Sequence, residues 1–349
     1  MKSSFKIGDF TVGNDRTFII AELSANHNGS LNNAINSIIE AKKAGADCIK
    51  LQTYTADTIT IDCDKSDFII DGTIWHGRKL HDLYKEAFTP WKWHKELFKI
   101  AREEGLEIFS SPFDQTAVDF LEELNTPAYK IASFEITDLP LIEYVASKNK
   151  PIIISTGIAT EKDISLAVNT CRKVGNNEIA LLKCTSSYPA PPEEANLVMI
   201  NDLQKKFNVI TGLSDHTLGY VAPVIGVSLG AKIIEKHFII DKSIGGPDAS
   251  FSLDKNEFKQ MVDGVRFAEK SLGNIDYSLT LKQQKGREHS RSLYAVKDIL
   301  KGEIICEQNV KSIRPGFGMH PKYYKMILGK KAKSNIEKGT RMSFDLTDE

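Results

Sequence analysis

Short apolar runs alternate with longer stretches of helical period along most of the 349-residue chain. The runs fall at 18–23, 47–51, 106–109, 128–132, 151–154, 179–182, 208–213 and 232–236. Each has the length of a strand buried on both faces. After them, apolar positions recur every three or four residues at about 30–44, 91–104, 114–124, 138–148, 160–174, 193–207, 219–229 and 254–272, the mark of helices with one buried face. Eight strand–helix pairs are the count of a (β/α)8 TIM barrel, an α/β fold. A doubly wound open sheet also alternates, but no Gly-x-Gly-x-x-Gly follows the first run, which weakens that alternative.

Three stretches break the alternation. Residues 5–13 read as a small hairpin that caps a barrel floor. Residues 53–89, with Trp75 and Tyr84, form a long excursion after the second strand, expected to be a lid or active-site loop. After Gly273 the pattern changes. Residues 274–290 are polar and without period, as in a linker. Residues 291–349 hold short strand-like runs with turns at 292–296, 301–303, 310–313 and 338–340. The expected organisation is a catalytic barrel over 1–273, a linker over 274–290 and a compact, mostly β module over 291–349.

Composition adds limits. With 41% hydrophobic and 26% charged residues, disorder is excluded as the general state. No apolar run approaches the roughly 20 residues of a membrane span, and the start, Met1-Lys2-Ser3-Ser4-Phe5, lacks a signal-peptide core. The five cysteines, Cys48, Cys63, Cys171, Cys184 and Cys306, form no CxxC pair. They read as reduced thiols, and a cytoplasmic location is expected. The net charge of −1 is uneven: residues 282–349 carry 15 Lys plus Arg against 8 Asp plus Glu, a net +7, which leaves −8 for the rest. Those charges are spread among strand-like runs and the aromatics make no stacking pattern, so nucleic acid is not an expected partner; without an apolar span, neither is a membrane. A basic module facing an anionic substrate fits better.

In such a barrel, chemistry sits at the carboxyl ends of the strands, and unusual polar residues gather there. The ends carry Glu22, Lys50 with Gln52, Ser111, Lys130 leading to Ser133 and Glu135, Ser155, Ser186 with Tyr188, Ser214 with His216, and Glu235 with His237. Side chains alternate along a strand, so Lys50 and Gln52 share a face, as do Ser214 and His216, and Glu235 and His237. All of them can point inward. Two imidazoles at one rim can hold a divalent metal. A lysine inside an apolar strand needs an anion. That anion is either a glutamate such as Glu135 beside Lys130, or a phosphate or carboxylate ligand cradled by the hydroxyls. Glu22 stands as an isolated acid or base. Addition of a phosphorylated carbon nucleophile to an aldehyde suits this set, as does a metal-dependent aldolase or sugar-phosphate isomerase.

The stretches Ala21-Glu22-Leu23-Ser24-Ala25-Asn26-His27, Ile49-Lys50-Leu51-Gln52-Thr53-Tyr54, Tyr129-Lys130-Ile131-Ala132-Ser133, Ser155-Thr156-Gly157, Gly212-Leu213-Ser214-Asp215-His216-Thr217 and Glu235-Lys236-His237-Phe238 resemble the sialic acid synthase family. Arg314-Pro315-Gly316-Phe317-Gly318 resembles a turn of that family's carboxyl-terminal antifreeze-like (SAF) domain. The resemblance spans nearly the whole chain. Within the family it is strongest to pseudaminic acid synthases, through residues 68–75, Phe109-Ser110-Ser111-Pro112-Phe113 and Ile131-Ala132-Ser133-Phe134-Glu135.

The resemblance implies condensation of phosphoenolpyruvate (PEP) with an open-chain acetamido sugar aldehyde, giving a nine-carbon 2-keto acid and phosphate. His216 and His237 would hold Mn2+ or a similar divalent ion, such as Mg2+ or Co2+. Lys50, Ser111, Lys130, Ser133, Ser155, Ser186 and Ser214 would bind PEP, and Glu22 would handle protons. Gln52, Tyr188, Asp248 and Arg314 would contact the sugar. A domain-swapped homodimer would bring Arg314 to the partner's site. Synthases acting on N-acetylmannosamine or a diacetamido mannose analogue, PEP synthases of phosphorylated sugars, and a non-catalytic carbohydrate- or ice-binding protein are the alternatives.

Overall fold

The computed structural model describes residues 4–348; residues 1–3 of the amino-terminal reading and residue 349 lie outside them. The chain divides after Gly273 into two compact units. The first opens with an antiparallel hairpin, β1 (Phe5–Ile7) and β2 (Phe10–Val12). Eight parallel strands follow: β3 (Phe18–Glu22), β4 (Cys48–Thr53), β5 (Glu107–Pro112), β6 (Tyr129–Ile131), β7 (Ile152–Ser155), β8 (Ile179–Cys184), β9 (Ile210–Asp215) and β10 (Ile233–His237). They close in sequence order, with β10 pairing β3. The fold is the TIM barrel that the alternation predicts.

One helix follows each strand and returns the chain: α1 (Leu31–Ala44), α4 (Trp91–Glu103), α5 (Gln115–Glu123), α6 (Leu139–Ser147), α7 (Glu161–Lys173), α8 (Met199–Phe207), α9 (Val221–Ser228) and α10 (Lys255–Leu272). Their ends follow local chemistry. The Ser30 hydroxyl accepts from the Asn33 amide at the start of α1, and Gly45 ends that helix at φ 96°. Thr160 with Asp163 and Asp254 with Glu257 form capping boxes on α7 and α10. The excursion at 53–89 is more ordered than a loop. It contains α2 (Ala56–Ile59), a 3-10 turn at Ser66–Phe68 and α3 (Leu80–Ala87).

Strand parity separates two cores. Ile19, Ala21, Ile49, Leu51, Ile108, Ile131, Ile154, Leu181, Leu213 and Ile234 face the helices. Phe18, Ile20, Cys48, Phe109, Ala128, Ile153, Ala180, Leu182, Ile210 and Ile233 fill the barrel. Phe5, Ile7 and Val12 of the hairpin belong to the same inner cluster and close its floor. Two residues further along each inward column, the side chains turn polar: Glu22, Lys50, Ser111, Lys130, Ser155 and Glu235, all buried. The barrel interior is apolar at its floor and charged at its mouth.

The second unit pairs β11 (Ser292–Ala295) with β12 (Val310–Ile313), antiparallel. Leu293, Ile299, Ile305, Val310, Ile327, Ile336 and Met342 form its own core. Of the other strand-like stretches, Gly302 and Gly339 take left-handed conformations, φ 85° and 89°, and act as turns. A short helix, α12 (Tyr324–Ile327), joins them. The polar segment 274–290 is exposed throughout. Unlike a structureless linker, it contains α11 (Leu281–Gly286), opened by a Thr280–Gln283 capping box; capping, not apolar period, starts that helix. Among the described residues no helix is long and apolar enough to cross a membrane.

Gly212 of β9 is packed against its neighbours β10 and β8. A Cβ there would lie 2.3 Å from the Ile233 carbonyl oxygen and 2.7 Å from Leu182 Cδ2, closer than packing allows. We predict that Gly212→Ala lowers unfolding free energy by about 1–3 kcal/mol, read as a shifted urea midpoint. A stability equal to wild type would contradict this packing.

Candidate active site

The mouth is built around four charged side chains with almost no solvent contact. Lys50 Nζ lies 3.0 Å from Glu22 Oε2 and 3.3 Å from Glu235 Oε1. Lys130 Nζ lies 3.5 Å from the same Glu235 oxygen. Neighbouring strands put them there: Glu22 is the register partner of Lys50 on one side and of His237 on the other. Gln52 Nε2 donates to Glu22 Oε1 at 3.0 Å.

Two carboxylates share this cluster unequally. Burial raises Glu22 most, Lys50 offsets part of that and Glu235 adds to it, leaving its pKa at about 7. Burial also opposes ionisation of Glu235, but Lys130 and Lys50 outweigh it and hold that carboxyl down. Burial pulls Lys50 down, but Glu22 and Glu235 more than reverse it. Lys130 is lowered by burial, which Glu235 counters incompletely. The cluster therefore sets two lysines against one carboxyl held charged and a second whose ionisation burial opposes. That imbalance favours an incoming anion.

Hydroxyls surround it. The Oγ atoms of Ser111, Ser155 and Ser186 are buried and make no hydrogen bond, a costly state unless a ligand completes it. Ser214 Oγ donates to Glu235 Oε1 at 3.1 Å. Ser133 Oγ accepts from the Gly157 amide at 3.1 Å. A Cβ on Gly157 would lie 2.1 Å from Ser186 Oγ and 2.7 Å from Ser133 Oγ, so only glycine keeps this niche open.

The histidines stand beside the cluster, ring centroids 5.4 Å apart. His216 Nδ1 is 2.9 Å from the Thr185 carbonyl. A carbonyl only accepts, so Nδ1 carries a proton; burial opposes a charged His216, but Cys184 and this carbonyl more than reverse it and raise its pKa, so Nε2 offers a lone pair only once its own proton has left. His237 Nδ1 is buried without a hydrogen-bond partner; its nearest carboxylate oxygen, Asp248 Oδ2, is 3.7 Å away. Burial, then His216 and the lysines, drives His237 well below the usual imidazole range, so its imidazole is neutral at pH 7. Among the described residues no three His, Cys, Asp or Glu side chains enclose a metal by themselves. The pair fits a metal whose other positions are filled by water or substrate oxygen.

Aromatic rings wall the mouth. Tyr188 lies 4.3 Å from His216 and 5.1 Å from Phe251, which lies 5.0 Å from His237. Trp75 of the 53–89 segment meets Tyr188 at 5.9 Å, and its indole Nε1 is buried without an acceptor. Asp248 Oδ2 accepts from the Ala25 amide at 3.4 Å. Arg314 is exposed on the second unit.

Compared with known proteins, residues 37–277 match the NeuB family and residues 290–341 match the SAF domain. The chain belongs to the NeuB family. A pseudaminic acid synthase of Campylobacter jejuni subsp. jejuni is 53% identical over 334 residues, 96% of this chain and 97% of that one. One of Helicobacter pylori is 49% identical over 328 residues, 94% and 96% of the two chains. The solved structure of spore coat polysaccharide biosynthesis protein SpsE of Bacillus subtilis matches with a TM-score of 0.68 and 36% identity, covering 99% of each chain.

Of the positions that the resemblance to this NeuB-type family singled out, the barrel brings together Glu22, Lys50, Gln52, Lys130, Ser214, His216 and His237 with the unpaired serines. Two readings need correction. The partner of Lys130 is Glu235, not Glu135; Glu135 follows the strand in a 3-10 turn, with one carboxyl oxygen buried and unpaired. Nor is Glu22 isolated, since Lys50 ties it to Glu235. Cys184 was missed as part of the site. It faces the interior with its Sγ 3.8 Å from His216 Nδ1. Burial raises this thiol, but His216, Ser133 and Lys130 bring it down to about 7. The inward parity of position 184 was the available signal.

Removing one partner from a buried ion pair is costly because the other charge stays behind. Glu235→Gln is predicted to lower stability by about 3 kcal/mol at pH 7, measured by urea denaturation. A loss under about 1 kcal/mol, the level of an exposed pair, would mean that the lysines do not depend on this carboxylate.

Proposed function

We propose that this chain is a pseudaminic acid synthase. It condenses PEP with the open-chain form of 2,4-diacetamido-2,4,6-trideoxy-altrose, releasing pseudaminic acid and phosphate. The observation that carries the reading is two buried lysines ringed by unpaired hydroxyls beside two metal-competent histidines. That set lies in a chain about half identical, nearly end to end, to proteins named for this synthesis.

PEP brings a phosphate and a carboxylate. Lys50 and Lys130 bind them with Ser111, Ser133, Ser155, Ser186 and Ser214, and the three unpaired hydroxyls gain acceptors when PEP arrives. His216 and His237 would hold a divalent ion, Mn2+ in this reading with Mg2+ or Co2+ as substitutes, which would supply Lewis-acid polarisation of the aldehyde oxygen. C3 of PEP attacks the aldehyde carbon, positive charge develops at C2, and water adds there. Glu22, held by Gln52 and Lys50, takes the proton of that water and passes it to the alkoxide formed from the aldehyde; burial raises its pKa toward neutrality. The resulting tetrahedral intermediate expels phosphate with C–O cleavage while the lysines hold its charge. Tyr188, Gln52 and Asp248 contact the sugar, and the segment carrying Trp75 selects among acetamido substituents. The active form is a homodimer in which the exposed Arg314 of one copy serves the other's barrel mouth. The +7 charge of residues 282–349 supports a role against anionic substrates. The five free thiols support a cytoplasmic location.

Incubation with PEP and a panel of sugars tests the substrate. The panel is N-acetylmannosamine, the 6-deoxy diacetamido altrose and its mannose isomer, with products weighed by mass spectrometry. The altrose compound is expected to react fastest, and preference for either other sugar would overturn the assignment. Glu22→Gln is expected to retain PEP binding by calorimetry and lose turnover. In the wild type, kcat/KM should rise as Glu22 loses its proton through pH about 7. A profile flat between pH 6 and 8, or a turning-over variant, would remove Glu22 from this step. Glu22→Gln and Arg314→Ala, each inactive alone, should regain activity when co-expressed as mixed dimers. Failure to complement would reject action in trans.

A further inference from the structure

The two strands that carry the histidines are tied together on their other face. Asp215 and Lys236 directly precede His216 and His237 and are register partners across β9 and β10. Because side chains alternate, the histidines turn into the barrel and this pair turns toward the helices. Both side chains are buried, and Lys236 Nζ lies 2.5 Å from Asp215 Oδ2. Lys236 also donates to the Thr217 carbonyl. Asp215 in turn accepts from the Thr217 amide at 3.0 Å and its hydroxyl at 3.1 Å. The backbone around His216 is thereby fastened on both sides to the strand of His237.

Stability alone does not account for the pair. Replacing a buried ion pair with apolar residues of similar volume is often neutral or stabilising. What such a pair does supply is fixed geometry, since a charge-assisted bond in an apolar layer holds one separation. We propose that Asp215, Lys236 and Thr217 form a positioning brace that sets the spacing of His216 and His237 and so preorganises the divalent-metal site. This rests on the metal reading above.

The test uses the full chain freed of metal, with Mn2+ titrated and the free ion followed by electron paramagnetic resonance. Asp215→Leu combined with Lys236→Met should weaken Mn2+ binding about 10- to 100-fold, with the melting temperature moved by only a few degrees. Asp215→Asn, which keeps the shape, should weaken it less, and carries the test if the double variant fails to fold. Asp47→Asn removes a carboxylate that is bound to Arg266 at 2.9 Å, distant along the strands from the histidines. It should cost stability and leave Mn2+ affinity intact. Wild-type affinity in both brace variants, or equal loss in Asp47→Asn, overturns the brace. His216→Ala separates the two readings: unchanged Mn2+ binding there removes the histidine site, and the brace with it.

Discussion

A single carboxylate, Glu235, joins the two lysines at the mouth of the barrel, and the rest of the site depends on that junction. Neither lysine could stay charged in a sealed apolar interior without a counter-ion. Glu235 serves both from one oxygen, within 3.5 Å of each, and Ser214 donates to that same oxygen. Lys50 also bonds Glu22, yet burial, helped by the charge on Glu235, keeps the pKa of that carboxyl raised. One buried anion therefore faces two lysines and, together with burial, raises the pKa of a second carboxyl. Two functional states come from groups of only two chemical kinds.

The barrel makes this possible by its layering. Below the mouth the interior is filled with Phe18, Ile20, Phe109, Ile153 and Ile210, closed from beneath by the hairpin. That packing excludes water from the floor, so charges two residues higher act in a low-dielectric setting. The unpaired hydroxyls of Ser111 and Ser155 lie in the same layer, and Ser186 and the niche at Gly157 follow just beyond the strand ends. Their unmet hydrogen bonds give the pocket a standing preference for an oxyanion. On the outer face, the same strands carry Asp215 and Lys236, which act on the histidines through the backbone. β9 and β10 thus carry a histidine on the inner face and one member of a buried ion pair on the outer.

Much of this is legible in the sequence, because it depends on periodicity. A strand buried on both faces must be a continuous apolar run, and a helix covering a barrel must show a 3.6-residue stripe. Eight such alternations leave few folds open, and parity then decides which of Glu22, Lys50, Lys130, His216 and His237 face inward. The motifs around those residues already indicated the family. Apolar period does not mark elements that other local rules decide. The helix at 281–286 rests on a capping box, and the helices within 53–89 lie in a segment read as a loop.

Partner choice was not legible. Glu135 stands five residues from Lys130 and Glu235 stands 105 residues away, yet barrel closure brings the distant carboxylate to the lysine while the near one leaves in a turn. The unequal ionisation of Glu22 and Glu235, the reach of Cys184 toward His216 and the contact of Trp75 with Tyr188 have the same origin. Each depends on distances between strands, or between a strand and a remote segment, that no spacing along the chain encodes. Sequence determined which residues line the mouth. Tertiary structure decided which of them touch, because electrostatic and hydrogen-bond energies fall off over a few ångströms and only the closed barrel sets those distances.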